Sequence, residues 1–427
     1  MNREAKKQET VQNALVQAGF LWNAAYSGLN ATQAAVILFA ISRTHDIAMA
    51  GIITIGFAIA NLSCIVSRYG IRNYQVTDVT EKYRFPDYFL CRLITTGASL
   101  LLSLAYLLAM SLAGHYSLEK CLIVLEIVAL KTTDALEDVF VGRLQQLGRL
   151  DVGARIAALR LGMSTVVIFS SLWIVPSLPI CLLLGIVSEI MMDACLIPSV
   201  RKHSVFPLRP LDFSTVRRLL LVGLPLGIGM VLHNYAGNAP KYLVDLHLTD
   251  ELQAVCGYVM MPMFVLAVLN TFVMQPAVKG LGDAWNTDSR LFWKKVVRHI
   301  SLIAVLSAAV LGAGLLVGLP LLSALYRVDL LPYRKAFLIL MAGGGLYTIS
   351  SYMIVLLTTM RRQTGIVWGC LAAIAVYLAF GDWATRKGGF TGACDLYIVA
   401  NAAMVAVFLL VLLGRKACTK GLGTKLC

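Results

Sequence analysis

Twelve long apolar stretches, six on each side of one basic loop near mid-chain, govern what this sequence can fold into. Residues 161–187 hold no charged side chain. At about 1.5 Å of rise per residue, that run exceeds any buried helix of a soluble domain and suffices for two membrane crossings. The segment VPSLP at 175–179 supplies the turn between them. Composition agrees, with 58% hydrophobic and 14% charged residues. The expected fold class is an all-α polytopic membrane protein.

The spans read from the sequence are 13–42, 47–68, 87–113, 118–142, 152–175 and 179–200 in the first half. In the second half they are 214–243, 251–278, 291–318, 332–360, 363–383 and 392–414. The expected organisation is an N-lobe over 1–200, a linker over 201–213 and a C-lobe over 214–427. The polar start of the chain lacks the pattern of a cleavable signal, so the first span is expected to stay.

Lys and Arg set the orientation. With the N-terminus in the cytoplasm, basic residues favour the cytoplasmic loops by about three to one over the opposite side. Both termini are then cytoplasmic. The net charge of +14 is thereby a topology signal, and a nucleic-acid surface is not expected. The 10 cysteines are scattered singly and read as free thiols. No cysteine pair, HExxH, GxSxG or Walker A run is present, so neither a metal, a cofactor nor enzyme chemistry is expected.

The halves echo each other. Span one carries Asn23, Tyr26 and Asn30; span seven carries His233, Asn234, Tyr235, Asn238 and Lys241. Each half has an even number of spans, so a duplication keeps its orientation and gives parallel repeats about an axis along the membrane normal.

Several runs carry a family likeness: RYGIRNYQVTD at 68–78, EDVFVG at 137–142 with QLGRLDV at 146–152, NAPKY at 238–242, and LSALYR at 322–327 with LPYR at 331–334. In order and placement they resemble the bacterial polysaccharide flippases, the Wzx-type branch of the multidrug/oligosaccharidyl-lipid/polysaccharide superfamily. The resemblance covers most of the chain. It implies two six-helix lobes about a V-shaped cavity in the bacterial cytoplasmic membrane. The implied cargo is an undecaprenyl-diphosphate-linked oligosaccharide, moved from the cytoplasmic to the outer leaflet by alternating access. The implied surroundings are membrane lipids, a polysaccharide polymerase and glycosyltransferases, with the protein itself a monomer. A multidrug or small-solute antiporter of the same superfamily stands as the alternative, and a membrane glycan polymerase or ligase as a third reading.

Such a cargo needs cations for its diphosphate and amides and aromatic rings for its sugars. Charged residues within spans are costly unless paired or facing a cavity, so each is a site candidate. Lys131 is the sharpest, with an ion pair to Asp134 or Asp138 as the competing role. Arg160 is read either as cargo contact or as the centre of a network with Glu137, Asp138 and Asp193. Arg92 either meets cargo or reaches for the headgroups. Lys241 follows Pro240, where a broken helix would aim it into the cleft, against a pair with Asp245. Asn23, Asn30, Asn234 and Asn238 are expected to line the cavity, with Tyr26 and Tyr235 offering ring faces to sugars. His233 is expected to be another lining residue.

Overall fold

The computed structural model describes residues 2–78, 81–203, 213–263, 265–266, 281, 284–285 and 287–414. Every regular element among them is helical. In the first part of the chain lie α1 (Asn2–Thr44), α2 (Ile47–Arg68), α3 (Ile71–Thr77), α4 (Phe85–Leu112), α5 (Leu118–Gln146), α6 (Leu150–Ser171), α7 (Leu178–Asp193) and α8 (Leu196–His203). There follow α9 (Phe213–His247), α10 (Asp250–Val259), α11 (Ser289–Ala313), α12 (Leu319–Tyr326), α13 (Arg334–Thr359) and α14 (Gln363–Leu413). Among the described residues, eight helical segments are long and apolar enough to cross a membrane. Residues 204–212 of the expected linker and 267–278 of the expected eighth span lie outside the described residues.

The chain divides into two compact units, Met1–Met230 and Val231–Cys427, and the division falls inside α9. In the first unit α5 is the hub. It packs against α2, α4, α6 and α7 and meets α3 and α8 near its end. Side chains that cap helix starts fix where some of them begin. Asp46 accepts from the Met49 amide at 2.9 Å and Ser117 from the Lys120 amide at 3.1 Å.

Helix α4 shows which solvent the fold is built for. Its outward face carries Leu101, Leu102, Leu108 and Leu112, all exposed, while its inward face carries Arg92, Thr95, Thr96, Ser99 and Ser103, all buried. That inverts the pattern of a water-soluble helix and suits lipid outside. The inward hydroxyls zip α4 to α2. Ser63 and Ser99 lie 2.6 Å apart, Thr95 donates to the Ser67 carbonyl at 2.6 Å, and Ser67 also meets Thr96. Bonds of this type between membrane helices contribute about 0.6 kcal/mol each.

In the second unit α14 runs to 51 residues, and Gly389 breaks it with φ 56° and ψ −141°. Its two parts fold back on each other as an antiparallel hairpin. Gly365 lies against Val411, Gly369 against the Phe408 ring and Gly392 against the Ala384 backbone. Arg362 closes the open end by donating to the Val411 carbonyl at 2.8 Å. The expected spans 363–383 and 392–414 are the two arms of this hairpin. The turn expected at 175–179 comes a little earlier, in residues 172–177 between α6 and α7.

Candidate functional site

Because neighbours surround α5, the charged residues along it have to find partners inside the protein. Lys131, Asp134, Glu137 and Asp138 are all buried. Lys131 Nζ lies 2.9 Å from Asp134 Oδ2, one turn on, and donates to Asn30 Oδ1 on α1 at 3.1 Å. Of the two acids weighed for Lys131, Asp134 is the partner.

Arg160 on α6 is 0% exposed and sits among four carboxylates. It meets Asp134, Glu137 at 2.8 Å, Glu189 at 2.9 Å and Asp193 at 3.4 Å. Thr133 accepts from Arg160 at 3.0 Å and itself meets Glu189, which also accepts from Ser164 at 2.7 Å. The expected network about Arg160 therefore exists, with one correction. Asp138 belongs to a separate cluster, where Arg92 Nη2 reaches it at 2.7 Å and Arg72 Nη1 at 2.9 Å.

Arg92, expected either to meet cargo or to reach for the headgroups, points inward. It is 0% exposed and also donates to the Ser67 carbonyl at 2.8 Å. Asp138 offers a buried carboxylate nearby, which compensates the charge that Arg92 carries inside the bundle. Arg68 donates to the Tyr26 hydroxyl at 3.0 Å, so that ring is bound at its polar tip. Asn23, Tyr26, Arg72, Asp134, Glu137, Asp138, Val141, Ala154 and Ala157 line one small cavity of about 10 Å³, room for a single water.

The second unit differs in chemistry. His233 donates to or accepts from Ser350 at 2.9 Å and stacks on Tyr347 with ring centroids 4.3 Å apart. Tyr235 stacks on Tyr242 at 4.9 Å. Asn238 donates to the Asn234 carbonyl at 3.2 Å, within the helix, and the side-chain oxygen of Asn234 is buried without a hydrogen-bond partner. Lys241 is buried, 7% exposed.

The expectation of a helix broken at Pro240 is overturned. Helix α9 runs unbroken from Phe213 to His247. Proline removes the amide that would serve the carbonyl four residues earlier, that of Ala236. The Tyr377 hydroxyl on α14 takes its place, donating to the Ala236 carbonyl at 3.3 Å.

Sequence reasoning passed over Glu189, Thr133, Ser164, Arg68 and Arg72 as site residues. Glu189 was detectable, being, with Asp193, one of two acids in a mostly apolar helix. The hydroxyls carried no signal, since serine and threonine are ordinary in membrane helices.

No protein-family model matches the chain, and no curated protein matches it in sequence. Solved structures do. The lipid II flippase MurJ, in an inward closed conformation, is similar with a TM-score of 0.64 at 14% identity, over 93% of this chain and 87% of that one. A MATE transporter in complex with MaD3S is similar with a TM-score of 0.61 at 13% identity, over 96% and 97%. An outward-facing multidrug resistance MATE family transporter of the MOP superfamily gives 0.58 at 13%, again over 96% and 97%. At such identities the likeness concerns the fold, and the chain has the fold of MurJ and of the MATE transporters.

Proposed function

We propose that this protein is a flippase that carries an undecaprenyl-diphosphate-linked oligosaccharide from the cytoplasmic to the outer leaflet for cell-surface polysaccharide synthesis, by alternating access. The observation that carries the reading is the polar interior of the first unit, where buried, ion-paired cations and a small polar cavity occupy a membrane bundle whose fold is also that of a lipid II flippase. Membrane proteins keep ionisable groups at such depth chiefly for transport or binding. In this reading the chain has twelve spans in two lobes, 1–200 and 214–427, related by a parallel pseudo-two-fold. Both termini lie in the cytoplasm of a bacterium.

Lys131 and Lys241 are assigned to the diphosphate. Asn23, Tyr26, Asn30, Asn234, Tyr235 and Asn238 are assigned to the sugars. Arg92, paired with Asp138, and Arg160, enclosed by four carboxylates, serve the cargo by holding α4, α6 and α7 around α5. A monomer working beside a polymerase and glycosyltransferases completes the proposal, and no metal or cofactor takes part.

A second reading, a multidrug or small-solute antiporter, draws support from the likeness to MATE transporters over nearly their whole length. Complementation separates the two. The gene should restore surface glycan to a mutant blocked in export of a lipid-linked oligosaccharide and should leave drug tolerance unchanged. Raised tolerance to cationic drugs without restored glycan would favour the antiporter.

A further inference from the structure

The run 68–78 has a second feature, apart from the candidate cargo site. Helix α2 ends at Tyr69 with φ 50°, and Gly70 follows with φ 68°, so two successive left-handed residues turn the chain sharply into α3. A tyrosine rarely adopts that conformation and keeps it only where its surroundings enforce it. Here they do. Arg72 donates to Gln145 at 2.8 Å as well as to Asp138, Gln75 donates to the Val139 carbonyl at 3.0 Å, and Gln146 donates to the Asp78 carbonyl at 2.7 Å. The elbow is thus fastened to the end of α5.

Its other side bears on the first turns of α9. A Cβ added to Gly227 would lie 3.0 Å from Cδ2 of the Tyr69 ring, and one added to Gly223 would lie 3.3 Å from Cε1. The two glycines, four apart, share one helix face, and the ring covers both. Gly70 is seated beside Leu226 and Met230, and the Tyr74 hydroxyl donates to the Val222 carbonyl at 3.1 Å. Between the glycines stands Pro225, whose missing amide deprives the helix of one internal bond. A rigid elbow therefore grips α9 around Pro225, where that helix lacks one internal bond. The same helix continues from the first compact unit into the second.

We infer that the α2–α3 elbow is a releasable clamp on α9: Tyr69, seated on Gly223 and Gly227, holds the helix across Pro225, and each transport cycle requires the ring to leave that seat. The contact rests on ring-to-backbone packing and a neutral hydrogen bond, which suits repeated opening better than a buried ion pair would. The clamp acts on the protein's own movement, so it holds for whichever cargo is carried.

The test uses the full-length protein in lipid vesicles with the pair Tyr69→Cys and Gly227→Cys. Oxidation should form the disulfide, identified by mass spectrometry, and lower transport of the lipid-linked glycan at least tenfold, with recovery on reduction. A disulfide that forms while transport continues, or none forming, overturns the clamp. Should the reduced pair misfold or move no glycan, amide hydrogen exchange without cargo decides. Gly227→Ala, which pushes a methyl against the ring, should speed exchange in 69–77 and 216–230 at least tenfold and leave α6 unchanged. Unchanged exchange in both segments refutes the proposal.

Discussion

Lys131 reaches Asp134 at 2.9 Å along α5, and the same carboxylate is shared with Arg160 on α6. Removing the lysine therefore leaves Asp134 with a cation. Lys131→Ala should cost less than the roughly 3–5 kcal/mol of a stranded buried charge, read from thermal unfolding, and should still abolish export. Adding Asp134→Asn should restore stability and leave export absent. Export recovered with no cation at 131 would remove Lys131 from the cargo site.

Arg160 allows no such economy. Its loss leaves Asp134, Glu137, Glu189 and Asp193 around an empty place, so Arg160→Met should destabilise by about 3–5 kcal/mol or more and fail to accumulate. Arg160→Lys should fail too, because a single point charge cannot bridge what the planar guanidinium bridges. Fluorescence-detected size exclusion measures the amount of folded protein. Wild-type levels of Arg160→Lys would show that the fork geometry is dispensable.

Tyr377 and Pro240 should be coupled through the Ala236 carbonyl. Tyr377→Phe should cost about 0.5–1.5 kcal/mol in the natural chain. In a Pro240→Ala background the helix supplies its own amide, and the same substitution should cost close to nothing. A double-mutant cycle of unfolding free energies checks this, and equal costs in both backgrounds would deny the substitution of hydroxyl for amide.

The hairpin of α14 depends on bare backbone at Gly369, beneath the Phe408 ring. Gly369→Val should destabilise by about 1–3 kcal/mol through overpacking. Shortening the opposing residue, Phe408→Ala, should relieve part of that loss. Unfolding temperatures of the single and double variants report it, and two losses that simply add would show that the side chains do not meet.

The helices were legible because lipid demands unbroken apolar length, which a sequence displays directly. The break in α14 was equally plain, since Arg386, Lys387 and two glycines interrupt the apolar run. Partner choice was not legible. Asp138 lies two turns from Lys131, too far for a direct pair, and only the fold brings Arg92 and Arg72 to it. Nothing local announces that the left-handed pair at Tyr69 and Gly70 swings Arg72 onto α5. Pro240 misled for a similar reason. Its missing amide was correctly read, but the hydroxyl that makes up for it comes from a helix more than a hundred residues away.

The most direct measurement places the purified protein in vesicles loaded on one leaflet with a polyprenyl-diphosphate-linked oligosaccharide and follows exposure of the glycan to an impermeant glycosidase. The wild-type protein should transfer the glycan well above empty vesicles, and Lys131→Ala with Asp134→Asn should not. No transfer by folded wild-type protein, together with efflux of a cationic dye from the same vesicles, would contradict the flippase assignment.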